Sequence, residues 1–386
     1  MHVVLAPDSF KNCLSAKEAA EALRKGVTRA APNASLDLVP LADGGEGTVD
    51  ALVAAGGGQR VSVTVTGPLG EPVEAVYGVL NETTAVIEMA AASGHALLTE
   101  AQRDPRSATT YGTGELIAHA LDNGFRDIIA GIGGSATNDA GAGMAQALGY
   151  RLLDASRRDL PPGGAALARI ARIDASNAHP ALSEASIRAA CDVRNPLCGR
   201  EGASQVYGPQ KGADAQTVLE LDAALHRFGT AIEEQLGIPV LERPGAGAAG
   251  GLGAGLVAFC GAELEPGFDV VARAVNLEQR IAAADLVLTG EGLLDAQTSS
   301  GKTPAGVAAL AARHRVPAIA IAGALEPGYE TLQDEGLTAA FSLCNGPMPL
   351  EAALQNAAVL LEAAAFNVIR VWNAASTGCV SLAPDL

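Results

Sequence analysis

Short apolar runs alternate with amphipathic segments at the start of the chain. Residues 3–6 are a β-branched apolar run, which is typical of a buried strand. Ser15 and Glu18 have the spacing of a capping box, which marks the start of a helix. The resulting β-α-β-α order favours a parallel sheet. The predicted elements are strands at 3–6 and 36–41 and helices at 15–30 and 46–55.

The pattern changes in the middle of the chain. The segment VSVTVTG (61–67) alternates apolar and polar residues with period two, a turn PLGE follows, and VEAVYGVL and TAVIEMA continue the alternation. This predicts hairpin strands that are partly antiparallel. The apolar run at 127–132 predicts a further strand, which leads into a Gly-Gly-Ser loop.

Near the C-terminus the β-α alternation returns, with short strands predicted at 286–290, 318–323 and 339–343 and a last helix at 350–372. The sequence therefore predicts a two-domain α/β protein. A Rossmann-like parallel-sheet domain is built from both chain ends, and a second α/β domain with a mixed sheet is inserted into it. The predicted boundaries are 1–62 with 275–372, then 63–274, and a disordered tail at 373–386; strand 127–132 fits either sheet.

Composition and charge narrow the function classes. The 386 residues are 48% hydrophobic, so the chain can bury a large core and is not of disordered type. A net charge of −17 makes it a poor binder of nucleic acid or anionic membrane, because phosphate contacts need clustered cations. The six cysteines form no CxxC pair or zinc-site spacing. With no signal-peptide pattern at the start, we expect a cytoplasmic protein.

Small and acidic residues recur where predicted strands end. The segments are APDSFK, LADGGEGT, GIGGSATND, ACDVRNP and TGEGLLD. In open parallel sheets, ligands bind at the carboxyl ends of the strands. Glycine loops there suit phosphate, and the adjacent carboxylates suit Mg²⁺. The chain has five lysines, and Lys11 and Lys211 adjoin such loops, which favours phosphate binding over the alternative of surface lysines beside turns.

Two near-motifs carry less weight. AQTSSGKT (296–303) resembles a Walker A loop, but its first residue is Ala296 and the predicted strand before it ends too early. Gly245, Gly247 and Gly250 match GxGxxG, but no strand is predicted to lead into them, so a loop or close helix contact is favoured. There is no GxSxG nucleophile elbow. Chemistry based on carboxylates, cations and backbone amides fits phosphoryl transfer.

Ten motifs in order resemble the bacterial glycerate kinase family of the first class, over about residues 1–372. They are APDSFK, PLADGGEGT, TGPLGE, IEMAAASG, TTYGTGELI, GIGGSATNDAGAGM, ACDVRNPLCG, GPQKGA, PGAGAAGGLG and LVLTGEGLLDAQTSSGKTP. The departures are Asn12-Cys13 after Lys11 and the extra tail. The resemblance implies ATP- and Mg²⁺-dependent phosphorylation of D-glycerate at the 2-hydroxyl. It also implies two α/β domains, one of them Rossmann-like.

Such a reaction needs a base, Mg²⁺ ligands, cations for phosphate and a clamp for the glycerate carboxylate. Asp192 is the favoured base, with turn capping as an equal alternative. Asp8, Asp43 and Asp295 are candidates for base or Mg²⁺ ligand, and Glu291 for either role. The nucleotide candidates are Gly44, Gly45, Gly47, Gly133, Gly134, Ser135, Thr137, Glu291, Lys11 and Lys211. We expect Gly133–Thr137 to open a helix whose amides face a phosphate or carboxylate. The substrate candidates are Asp43, Glu88, Arg103 or Arg106, Arg194 and Asn195. For the two arginines a solvated loop is the favoured alternative.

Other functions stay open on the sequence. The first is a nicotinamide-dependent hydroxy-acid dehydrogenase that uses the GxGxxG segment. The second is a glycerate kinase that acts at the 3-hydroxyl, and the third is a non-catalytic protein that binds a small acid. The expected partners are small molecules, D-glycerate and ATP. The sequence leaves the oligomeric state open, with a homodimer as one candidate.

Overall fold

The computed structural model describes residues 1–296, 298 and 302–376. Its strands are β1 His2–Pro7, β2 Ser35–Leu38, β3 Gln59–Thr66, β4 Pro72–Val79, β5 Thr84–Glu88, β6 Asp127–Gly131, β7 Arg151–Leu153, β8 Arg172–Asp174, β9 Ser186–Ala190, β10 Glu263–Glu265, β11 Leu286–Gly290, β12 Leu293–Leu294, β13 Ala318–Ala322, β14 Ala324–Leu325 and β15 Ala339–Ser342.

The α-helices are α1 Ala16–Ala30, α2 Thr48–Gly56, α3 Ala90–Ser93, α4 Tyr111–Asp122, α5 Ala142–Ala147, α6 Ala203–Tyr207, α7 Ala215–Leu236, α8 Ala248–Cys260, α9 Gly267–Ala274, α10 Leu277–Ala282, α11 Thr303–Arg313, α12 Thr331–Asp334, α13 Leu350–Gln355 and α14 Ala357–Ser376. Short 3₁₀ helices lie at His95–Leu97, Glu100–Gln102, Gly164–Arg169, Pro180–Glu184 and Pro209–Lys211.

Contacts within the described chain divide it into two compact units. The first unit comprises Met1–Asp43, Asp50–Ala55 and the chain from Val271 onward, and the second comprises Gly44–Val49 and Gly56–Val270. The predicted boundary at 62/63 falls inside β3, which pairs along its length with β4. Residues 373–376 complete α14, and residues 377–386 of the predicted tail lie outside the described residues.

A parallel sheet forms the centre of the first unit. Among the described residues it has five strands in the order β15-β13-β11-β1-β2, and every neighbouring pair is parallel. The inner strands β11 and β13 are buried along their whole length, as their apolar runs predict. Strands from both ends of the chain thus share one sheet, and the predicted Rossmann-like arrangement is confirmed.

Helices α1 and α14 supply the apolar residues that cover this sheet. The capping box at the start of α1 is present, because Ser15 Oγ accepts from the Glu18 amide and Glu18 accepts from the Ser15 amide. The segment Ala357–Ala375 of α14 is apolar and long enough to cross a membrane by length and composition alone. However, Leu361 and Ile369 of α14 are fully buried in the core of the first unit, as in a core helix.

The second unit contains a mixed sheet, as predicted. Its six strands among the described residues run in the order β10-β9-β6-β5-β4-β3. The β3–β4 hairpin is antiparallel, whereas β5, β6, β9 and β10 are mutually parallel. The strand predicted at 127–132 is β6 and lies at the centre of this sheet between β5 and β9. The parallel strands therefore end at one common edge, where Glu88, Gly131 and Ala190 lie.

Candidate active site

Two carboxyl groups meet at the edge of the first unit where β1 and β11 end. Asp8 follows β1, Glu291 follows β11, and the Asp8 amide donates to the Gly290 carbonyl at 2.9 Å. Burial, with the nearby charge of Asp43, raises the pKa of Asp8 to about 6. Burial, with the charge of Asp8, raises the pKa of Glu291 to about 7 against the opposing effects of Lys302 and Lys11. The predicted acids are thus brought together at the predicted edge.

Thr303 fixes the Asp8 carboxylate, and sequence reasoning missed this residue. Its fully buried hydroxyl donates to Asp8 Oδ2 at 2.5 Å, and the Ser9 amide donates to Asp8 Oδ1. Thr303 is the first residue of α11, within the segment rejected as a Walker A loop. The SSGKT motif was the available signal, but the contact spans 295 positions and no local pattern reveals it.

Asp295 lies in a small polar network with Thr298. Thr298 Oγ1 lies 3.2 Å from Asp295 Oδ1 and 3.3 Å from Glu291 Oε1, and Lys302 Nζ lies 3.8 Å from Asp295 Oδ1. Thr298 thus links Asp295 to Glu291 by hydrogen bonds. Glu291 in turn interacts electrostatically with Asp8, whose charge raises the pKa of Glu291. Lys11 is exposed and close enough to Glu291 to lower its pKa. Gln297 and Ser299–Gly301 of the AQTSSGKT segment lie outside the described residues.

Nothing in the described part of the chain forms a cage for a metal ion. No group of three or more His, Cys, Asp or Glu side chains there could hold one. Mg²⁺ is usually bound by one or two carboxylates, with phosphate oxygens and water completing the shell. Asp8 and Glu291 fit that role, because they are hard oxygen donors and burial raises the pKa of both.

The second unit presents the loop Gly133–Thr137 after β6, with Lys211 packed beneath it. Lys211 is 2% exposed, and its Nζ donates to Ser135 Oγ at 2.7 Å and to the Thr137 carbonyl at 2.6 Å. Burial lowers the pKa of Lys211 to about 7, and Asp139 partly opposes this. The link between Lys211 and Ser135 was not predicted, because 76 positions separate the two residues.

The expectation that Gly133–Thr137 open a helix is wrong. The helix that follows, α5, begins at Ala142, because Ala140 and Gly141 both adopt positive φ angles of 49° and 73°. Asp139 precedes this helix and is fully buried. Its carboxylate accepts from the Thr110 amide and hydroxyl and from the amides of Gly141 and Gly143. Asp139 is thus a structural anchor for the loop.

Glu88 holds the second predicted glycine loop in place. Its carboxylate accepts from the Gly47 amide at 3.3 Å and from the Val49 amide at 2.6 Å. The Gly47 amide, predicted to face a phosphate, therefore faces a carboxylate in this structure. Gly45 lies against Gly133, since a Cβ placed on Gly133 would be 2.8 Å from Gly45 Cα. The structure thus brings Gly44, Gly45, Glu88 and the Gly133–Thr137 loop together.

The loop after β9 carries three further predicted residues. Asp192 is exposed, and its Oδ1 accepts from the Gly267 amide at the start of α9 at 2.7 Å, which agrees with the capping alternative. Asn195 uses both ends of its amide internally: Nδ2 donates to the Glu201 carbonyl and Oδ1 accepts from Tyr207. Each end keeps one further hydrogen-bonding position, so the contact of Asn195 with substrate stays a prediction. Arg194 is exposed.

The two candidate carboxylate clamps differ in their surroundings. Arg106 pairs with Asp104 at 2.9 Å on the surface, as the alternative of a solvated loop predicts. Arg103 Nε is buried and has no hydrogen-bond partner among the described residues. Native proteins pair most buried polar atoms, so Arg103 is the better candidate for contact with a ligand.

Comparison with known proteins places the whole chain in one family. Residues 3–373 match the sequence profile of the glycerate kinase family. The chain belongs to the glycerate kinase family. A protein of Halalkalibacterium halodurans named glycerate kinase is 52% identical, with 96% of this chain and 98% of the relative covered. Escherichia coli glycerate 2-kinase is 48% identical, with 92% and 94% covered.

A crystal structure confirms the fold of this glycerate kinase family member. A Salmonella typhimurium LT2 protein provisionally named glycerate kinase 2 superimposes with a TM-score of 0.90 at 50% identity, covering 98% of this chain and 99% of the other. Family membership makes the chain a phosphotransferase that uses ATP and small-molecule substrates. The predicted glycerate kinase activity is thereby confirmed at the level of the family.

The GxGxxG segment has a packing role in this member of the family. Gly250 has a φ of +70°, and a Cβ there would lie 1.9 Å from the Thr137 carbonyl oxygen. Gly247 approaches the Pro196 carbonyl in the same way. Gly250 lets α8 pack against the Gly133–Thr137 loop, and Gly247 lets it approach the loop after β9, as the close-contact interpretation predicts. The dehydrogenase alternative therefore has no support.

Proposed function

We propose that this protein transfers the γ-phosphoryl group of ATP to the 2-hydroxyl of D-glycerate, forming 2-phosphoglycerate and ADP. The observation that carries the choice of hydroxyl is the 48% identity, over nearly the full length, to a protein named glycerate 2-kinase. The coupled enolase assay described below distinguishes this reaction from transfer to the 3-hydroxyl.

In this proposal Asp8, Asp43 and Asp295 bind Mg²⁺, directly or through water, and Glu291 assists them. The support is the raised pKa of Asp8 and of Glu291, since a bound cation relieves the burial of a carboxylate and its repulsion by a neighbour. When bound, Mg²⁺ would neutralise charge on the phosphate oxygens. Lys11, which is exposed beside Glu291, contacts the transferred phosphoryl group.

The second unit supplies groups for the substrates. The backbone around Gly44, Gly45 and the Gly133–Thr137 loop approaches the bound anions, and Glu88 keeps the 44–49 loop in shape. Asp192, an exposed carboxylate, acts as the general base and accepts the proton of the 2-hydroxyl. Arg194 and Asn195 border the acceptor, and Arg103 binds its carboxylate.

A coupled assay tests the proposal. The protein is incubated with D-glycerate and Mg-ATP, and enolase without phosphoglycerate mutase reports 2-phosphoglycerate as phosphoenolpyruvate absorbance. A signal that needs added mutase would mean 3-phosphoglycerate and overturn the 2-hydroxyl assignment. No signal in either assay, with active coupling enzymes, would contradict the kinase proposal. Omitting Mg²⁺ and adding EDTA tests the metal requirement.

We propose on the charge of −17 that nucleic acid and anionic membranes are not partners. We propose cytoplasmic location on the six cysteines, which form no CxxC pair or zinc-site spacing. Cell fractionation tests the location, and light scattering tests whether the protein is a homodimer.

A further inference from the structure

Lys211 is a buried cation whose hydrogen bonds go to neutral oxygens. An ammonium group has three N–H donors, and the two bonds of Lys211 go to the Ser135 hydroxyl and the Thr137 carbonyl. Asp139 attracts it electrostatically, but that carboxylate already accepts four hydrogen bonds from Thr110, Gly141 and Gly143. The position is costly unless an anion completes it, because the ammonium has lost its hydration.

Unpaired polar atoms also occur in the segments that lie next to Lys211. Arg103 Nε, Thr137 Oγ1 and Asn138 Oδ1 are buried and have no hydrogen-bond partner within the described chain. Arg103 lies next to Lys211, since a Cβ on Gly212 would be 2.5 Å from the Arg103 carbonyl oxygen and 3.2 Å from Arg103 Cβ. These three atoms are able to form hydrogen bonds with a polar ligand that reaches this neighbourhood.

We infer that Arg103, Ser135, Thr137 and Lys211, together called the Lys211 pocket, bind the carboxylate of the hydroxy-acid acceptor. This inference rests on the proposed function and gives its acceptor a recognition site. Arg103 offers a planar fork of donors that matches a carboxylate, and Lys211 and Ser135 add a charge and a hydroxyl. The assignment replaces the expectation that Lys211 contacts a phosphate of ATP.

The charge of the pocket favours a carboxylate over a triphosphate. A nucleotide triphosphate carries several negative charges and arrives with Mg²⁺, which needs free carboxylate oxygens. Asp139, the acid in contact with this loop, has its carboxylate fully used by hydrogen bonds. One lysine and one arginine instead match a single planar anion. The pocket therefore predicts that the protein discriminates between D-glycerate and glycerol, which lacks the carboxylate.

Lys211→Met is the central test, because methionine has a similar length and no charge. We expect the KM for D-glycerate to rise about 10- to 100-fold, the loss expected for a charge-assisted hydrogen bond. The KM for ATP should stay within about twofold. In a melting experiment, D-glycerate should stabilise the wild-type protein more than glycerol does, and Lys211→Met should abolish the difference. Lys25→Met, at an exposed position of α1, is the matched control.

Arg103→Gln keeps the test valid if Lys211→Met does not fold, and it should raise the glycerate KM in the same direction. A rise in the KM for ATP with an unchanged glycerate KM would overturn the inference in favour of a phosphate site. Equal losses for both substrates, with a lower melting temperature, would overturn it in favour of a structural role.

The melting experiment also separates this inference from the proposed function. A wild-type protein that turns over D-glycerate, with variants whose glycerate KM is unchanged, would refute the pocket alone. A wild-type protein without kinase activity, whose glycerate-specific stabilisation disappears in Lys211→Met, would support the pocket and refute the proposed function.

Discussion

The two units both place loops at the carboxyl ends of parallel strands, but the side chains gathered there have opposite charge. In the first unit Asp8 and Glu291 are acids whose pKa values are raised to about 6 and about 7. In the second unit Lys211 is a base whose pKa is lowered to about 7. Burial is the main cause in each case, and in each case it favours the neutral form.

This difference indicates a division of labour between the units. A buried carboxylate that lacks a counter-charge gains from a cation, and a buried ammonium gains from an anion. The first unit therefore suits a metal with its nucleotide, and the second unit suits the anionic acceptor. If that contrast is correct, substitutions in the two units should impair different substrates.

The largest effect is expected from Asp8→Asn. Loss of the carboxylate removes a proposed Mg²⁺ ligand, so kcat should fall on the order of 1,000-fold. The coupled assay at saturating D-glycerate measures this, and the glycerate KM should change little. Asp285→Asn, an exposed aspartate at the start of β11, is the control. A fall of less than tenfold would contradict the role of Asp8.

Acidic pH should produce the next largest effect. Asp8 and Glu291 must be ionised to bind a cation, so kcat/KM for Mg-ATP should fall as pH drops through about 7 and about 6. Because both carboxyls must be ionised, the loss is about tenfold per pH unit between the two values and about a hundredfold per unit below the lower one. Because protons and Mg²⁺ compete for the same oxygens, more Mg²⁺ should move this limb to lower pH. If the acidic part of the pH profile did not shift with Mg²⁺ concentration, the proposal that the two carboxyls bind the metal would be wrong.

Thr303→Val should have a smaller effect, since it changes only the orientation of Asp8. Valine keeps the volume but removes the hydroxyl that donates to Asp8 Oδ2. We expect about a tenfold rise in the Mg²⁺ concentration needed for half-maximal rate. Thr303→Ser retains the donor and should stay within about threefold of wild type. Equal behaviour of the two variants would show that packing, not the hydrogen bond, matters at this position.

The smallest effect is expected from Arg106→Gln. Arg106 is paired with Asp104 on the surface, and exposed pairs contribute little. The glycerate KM should therefore change less than twofold, in contrast to Arg103→Gln. If Arg106→Gln instead had the larger effect of the two, the carboxylate clamp would have to be moved from Arg103 to Arg106.

Local patterns in the sequence predicted most of the fold. The apolar run of β1, the Ser15–Glu18 capping box and the alternation of β3 and β4 each depend on neighbouring residues, and each is present. The acids at strand ends were predicted because parallel strands share an edge. The α5 start was missed, since its delay depends on the positive φ of Ala140, which is unusual for that residue type.

Contacts between distant residues set the limit of sequence reasoning about the site. Thr303 with Asp8, and Lys211 with Ser135, join segments whose proximity depends on the complete topology. Glu88 is a further case, because its strand-end position suggested a substrate contact. The carboxylate instead accepts from amides about 40 positions earlier in the chain. Only the strand order explains why these side chains meet.

The order of strands in the first unit has a consequence for protein synthesis. β1 pairs on one side with the nearby β2, but on the other side its Val3 pairs with Leu286 of β11, which is synthesised long afterwards. At roughly 5–20 residues per second, the delay is on the order of 15 to 60 seconds. The apolar face of α1 packs against α14, which is synthesised later still. Complete burial of the N-terminal strand and helix therefore has to be a late step in the folding of the first unit.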